Sequence, residues 1–166
     1  MKSGLALVLV TAWLGCGNDV EVQPDAGPPS LALGTGLTRF EALDDGDEVF
    51  VILGPQGGYH LLGSLHASNI NPGNPKDLSD PSNPTIVFEV FSGADRVDAM
   101  ASTYTQGLKP ATDGVEMVGR QVILDIANDS QLEGQTLRFV VTVMDTDGVT
   151  VRSEKEVIAK AHPNNL

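Results

Sequence analysis

The sequence predicts an all-β protein, an antiparallel sandwich of seven to eight strands over residues 36–160. Three observations predict it. Apolar and polar residues alternate with period two along most of that span, as on strands with one buried face. Turn residues interrupt the alternation, most clearly at Gly54-Pro55-Gln56-Gly57-Gly58 and Asp145-Thr146-Asp147-Gly148. Helical spacing never persists over three turns after residue 17. The 166 residues suit one domain with flanking segments, and an apolar content of 41% can supply its core.

Residues 1–15 read as a signal peptide. Lys2 precedes an almost wholly apolar run over residues 5–14. That run is too short to cross a bilayer of about 30 Å as a helix, and it has the length of a secretory h-region. It ends in Leu14-Gly15-Cys16, and Cys16 is the only cysteine in the chain. The junction resembles the lipobox of bacterial lipoproteins, with Trp13 standing where that family prefers Leu. The resemblance implies that Cys16 is acylated, becomes the mature N-terminus and anchors the chain to a membrane. Gly17, where Asp would signal inner-membrane retention, implies the outer membrane. Residues 16–35 are then the lipidated cysteine and a flexible tether. Residues 17–30 carry three prolines and no aromatic, too little apolar surface to offset the entropy of ordering.

The candidate strands in chain order are 37–43, Glu48–Leu53, 59–70, 85–91, 115–126, Thr136–Met144 and 149–158, with 96–103 a weaker eighth. Along Thr136–Met144, Leu137, Phe139, Val141 and Val143 share one face and Arg138 and Thr142 the other. Val149, Val151 and Val157 share a parity in the last strand, opposite Arg152, Glu154 and Glu156. Gly148 is placed for the left-handed position of a bulged hairpin. Residues 161–166 read as a disordered tail. The ending from Leu137 to Val151 resembles the last hairpin of immunoglobulin-like and fibronectin-III-like bacterial surface domains. Only the architecture carries over, since the cysteine pair and core tryptophan of antibody domains are missing. The stretch from Phe40 to Val49, followed by Gly54 to His60, resembles a segment of uncharacterised secreted lipoproteins of Gram-negative bacteria. No activity comes with it.

Charge and motifs narrow the function. A net charge of -12 repels phosphate backbones, and no basic patch compensates, so nucleic acid is not an expected partner. One cysteine excludes a disulfide framework and a cysteine-rich metal site. His60 and His66 share a strand parity with Ser64 and Ser68, read as the solvent face. Six residues of strand separate the two histidines by roughly 20 Å, too far for one ion. The acidic stretches 44–48 and 145–148 invite a calcium reading. Asp also favours turns for its own backbone chemistry, which leaves Asp145 and Asp147 hairpin residues whose replacement by Asn should be nearly neutral. The candidate binding residues in strand-end loops are Gln56, His60, Asp145 and Asp147. Residues 71–84 form a long loop with four prolines, read as a stiffened crossover. No nucleophile, zinc, phosphate-loop or dinucleotide motif occurs, so neither a catalytic residue, a metal nor a cofactor is expected. The leading expectation is a lipid-anchored envelope protein presenting a non-catalytic module to an envelope protein or glycan. A calcium- or glycan-binding module is the alternative, and a small envelope hydrolase the third.

Overall fold

The computed structural model describes residues 27–99 and 102–165. Cys16 and the expected signal segment lie outside the described residues. Eleven strands form among the described residues: β1 (Ser30–Thr35), β2 (Glu41–Ala42), β3 (Glu48–Leu53), β4 (Tyr59–Ser68), β5 (Thr85–Ser92), β6 (Asp95–Arg96), β7 (Ser102–Thr105), β8 (Lys109–Ala111), β9 (Gly114–Leu124), β10 (Thr136–Met144) and β11 (Thr150–Ala161). One 3-10 turn, Asp129–Gln131, is the sole helical element among the described residues.

One sheet runs β8-β9-β4-β1, with β2 on the end of β1. The other runs β5-β10-β11, with β6 and β7 on the free side of β5. Taking β1, β4, β5, β8, β9, β10 and β11 as strands A to G gives sheets D-E-B-A and C-F-G. That is the strand order of an immunoglobulin-type sandwich. The expected all-β, immunoglobulin-like architecture is therefore the one found. The strand count is higher than the seven or eight expected, and the pairing is not wholly antiparallel. In β3, residues Glu48–Val51 run parallel to Ile158–Ala161, while Ile52 and Leu53 pair antiparallel with β4. One strand thus leaves one sheet for the other and closes that side of the sandwich.

The core forms where the two inner faces meet. Leu137, Phe139, Val141 and Val143 of β10 are fully buried, as their shared parity predicts. Phe139 meets Phe88 of β5 at 5.9 Å between ring centroids. Phe88 lies on the strand that carries the buried tryptophan in antibody domains, so an aromatic fills the same layer without the disulfide. Across the sandwich Phe88 faces Gly63 of β4, where a Cβ would come within 2.9 Å of the ring. The absent side chain makes room for the ring.

Three expected boundaries move. The tether does not reach residue 35, because Ser30–Thr35 pairs with residues 64–68 of β4 and buries Leu33. Its alternation is short, but the free edge of β4 captures it. The expected strand 37–43 keeps only two paired residues, Glu41 and Ala42. The expected tail is likewise held: β11 runs to Ala161, and Asn165 accepts from Leu53 N–H at 2.8 Å and donates to Val51 C=O at 2.7 Å. The weak strand 96–103 resolves into β6, a lone bridge from Asp98 to Leu124, and β7. Asp98 is buried there because it accepts from Val90 N–H at 2.8 Å and pairs with Arg96 at 2.6 Å.

Candidate functional site

The outer face of the sheet at β3, β4 and β9 is apolar. Strand β3 carries apolar residues on both parities: Val49 and Val51 go to the core, while Phe50 and Ile52 go outward. Register continues the face sideways, with Ile52 beside His60 and His60 beside Ile123. Phe50 is 46% exposed, Ile123 45% and Leu37, on the loop after β1, 70%. Leu37, Phe50, Ile52 and Leu62 line a cleft of about 460 Å³ whose acidic members are Glu41 and Glu48. His162 closes one side, its ring edge-on to Phe50 at 5.4 Å. Apolar side chains left open to water over such a face mark a surface that other molecules cover.

A second cleft, of about 320 Å³, adjoins this face. The turn Gly54-Pro55-Gln56-Gly57-Gly58 forms one wall, and His60, Gln121 and Ile123 form the other. Gly57 and Gly58 take positive φ, and Gly54 N–H donates to Gly58 C=O at 2.9 Å, which closes the turn. Gln56 and His60 therefore do come together. His60 is not the solvent-face residue its parity predicts. It is 6% exposed, flanked in the sheet by Ile52 and Ile123 and with the glycine turn at Gly54 against its ring. Burial holds its pKa below the usual histidine value, favouring the neutral ring. Ser64, of the same parity, is also buried: it donates to Gly36 C=O at 3.2 Å and accepts from Gly119 N–H at 3.0 Å.

Asp145 and Asp147 lie at the other end of β4, so the four candidate residues form two separate places. One carboxylate oxygen of Asp145 accepts from Asp147 N–H at 3.0 Å and Val149 N–H at 2.9 Å. The other accepts from Asn71 N–H at 2.9 Å. Asp147 accepts from Asn71 Nδ2 at 3.1 Å. The Asp145 carboxylate is directed at the backbone of its own turn and of the crossover loop. Among the described residues, no three His, Cys, Asp or Glu side chains converge where a metal ion could bind.

The crossover 71–84 is a run of three consecutive turns rather than a stiffened coil. Asn74, Asp77 and Asp80 each accept with a side-chain oxygen from the N–H two residues on. Buried Asn83 closes the run, accepting from Asn74 N–H at 2.8 Å and donating to Asp77 C=O at 2.8 Å. Hydrogen bonds from Ser79 and Ser82 hold the Asp77 and Asp80 carboxyls below the usual aspartate range. The apolar face was not among the sequence candidates. Its signal was present in Glu48–Leu53, where five apolar residues in a row exceed what one buried face needs. Comparison with known protein families, curated proteins and solved structures finds no match to this chain.

Proposed function

We propose that this chain is a lipid-anchored protein of the cell envelope, in the outer membrane, whose sandwich presents a non-catalytic interaction surface. The apolar outer face at Leu37, Phe50, Ile52, Leu62 and Ile123 carries the reading. The h-region ending at Cys16 supports the anchor. Glu41 and Glu48 beside the cleft, on a chain of net charge -12, favour an envelope protein offering an apolar side chain framed by basic ones. A photo-crosslinking residue in place of Phe50 should trap one discrete partner in intact cells. The same residue at Thr142, on the outer face of the opposite sheet, should not. Glu41→Lys together with Glu48→Lys should weaken the trapped product at unchanged expression. Crosslinks of equal yield from both faces, or none from Phe50, would sink the proposal.

One observation favours a second reading. Gln56, His60 and Gln121 place amide and imidazole groups around the smaller cleft next to apolar Ile123, a mixture suited to a glycan hydroxyl and its ring face. Glycan-array binding lost in Gln121→Ala but kept in Phe50→Ala would favour it over a protein partner.

A further inference from the structure

A third pocket, distinct from both clefts, lies where β8 and the middle of β9 approach the chain after β7. Its volume is about 110 Å³, and its polar lining is Arg120, Lys109, Gln106, Thr38 and Glu116. Arg120 pairs in register with Gly63, so it leaves β9 on the inner side, toward the opposite sheet. There its guanidinium lies over the Tyr104 ring, 5.4 Å from the centroid, and its Nη2 donates to the Gln106 side-chain oxygen. Its Nε is buried and has no acceptor. A buried donor of a charged group left without an acceptor is costly and calls for a physical reason.

Charge supplies a second, independent observation. The chain has 22 acidic residues for 10 Lys and Arg. Arg39, Arg96, Arg138, Arg152, Lys155 and Lys160 each have a carboxylate within 4 Å. Arg120, Lys109 and the exposed Lys76 have none among the described residues, although Glu116 stands directly opposite Lys109 across the β8–β9 ladder. In a chain this acidic, two cations without carboxylate partners share one small pocket.

We infer that Arg120 and Lys109 form a binding site for a small oxyanion, a carboxylate or phosphate group. The ring of Tyr104 and the Gln106 amide fix the guanidinium plane, which suits the parallel hydrogen bonds that Arg gives to such groups. Lys109 adds a mobile point charge from the exposed edge strand. The size suits a small oxyanion. Glu116 opposes the ligand and sets the affinity low.

The test titrates the full chain with inorganic phosphate, acetate or chloride at constant ionic strength, following the Arg120 Nε–H and Lys109 amide signals by NMR. The expected result is a saturable shift with phosphate, and with acetate if any oxyanion suffices, but not with chloride. Arg120→Gln should weaken binding about tenfold or more, the loss of one charge-assisted contact. Lys109→Gln should weaken it several-fold, and Glu116→Gln should strengthen it. Lys76→Gln, which removes an exposed lysine of the distant crossover, should change nothing. Lys109 is exposed, so its variant reports on binding even where Arg120→Gln loosens β9. Shifts linear in concentration, equal responses to chloride, or equal weakening by Lys76→Gln and Lys109→Gln would overturn the site.

Discussion

Asp145 accepts three backbone N–H groups with two oxygens, and that geometry corrects what the turn preference alone implies. Asn tolerates the same turn conformation, but one of its two positions is an NH2 that cannot accept. Asp145→Asn therefore sets a donor against either Asn71 N–H or the pair at Asp147 and Val149. The expected cost is about 1–3 kcal/mol in denaturant melts. Asp147 makes one exposed side-chain contact, so Asp147→Asn should stay within about half a kcal/mol. Equal losses from the two would refute the anchoring role of Asp145. In the core, Phe139→Ala should cost about 3–5 kcal/mol, since the ring is fully buried against Phe88. Gly63→Ala adds one methyl group, yet it should cost about 1–3 kcal/mol because Phe88 must leave its well-packed position. A neutral Gly63→Ala would mean the two sheets can separate locally without loss.

Among the elements, β4 and the crossover loop respond to acid in the same direction for different reasons. Burial lowers the His60 pKa in the folded state, so the unfolded chain binds its proton first. Its stability contribution is complete above the unfolded value near 6.5 and declines as the pH falls toward the folded one. No charged side chain lines its cleft to offset this. His60→Gln should flatten the decline, and an unchanged pH profile would contradict the burial. Asp77 and Asp80 have lowered folded pKa values, so the order they confer is present above the ordinary aspartate value near 3.8 and is lost below it. Hydrogen exchange at the Ser79 and Ser82 amides should quicken only in that lower range. The elements that were legible in the sequence are those whose core residues share one parity, even where the other parity also buries a residue, as at Val140. Strand β10 is the clearest, its inward residues and its hairpin with Gly148 both predicted by alternation and turn chemistry. Strand β4 was read with the right inner face, but His60 and Ser64 on its outer side are buried as well, and alternation reports one buried face only. The docking of Asn165 and the Arg120 pocket had no local signal at all. Each depends on groups brought together across the sandwich from distant parts of the chain.

At the scale of the molecule, the anchor and the folded domain are separable. The first strand begins at Ser30, so residues 17–29 remain between the lipidated cysteine and the sandwich in the proposed mature chain. Extended as polyproline-like chain, they would reach roughly 40 Å, enough to hold the apolar outer face clear of lipid headgroups. The proposed anchor at Cys16 precedes the first strand by the whole span 17–29, which is the reason anchoring and stability should respond independently. Cys16→Ser should abolish acyl labelling and move the protein from the membrane to the soluble fraction. The same variant should keep its melting temperature within about three degrees, since a change in the proposed tether falls within about half a kcal/mol. Removing residues 30–35 is the opposite case: it strips β1 from the edge of β4, exposes Leu65 and Ala67 beside the lost Leu33, and should prevent folding whether or not the lipid is present. Membrane partition that survives Cys16→Ser would defeat the anchor without touching the fold. A stable domain lacking residues 30–35 would defeat the placement of β1 without touching the anchor.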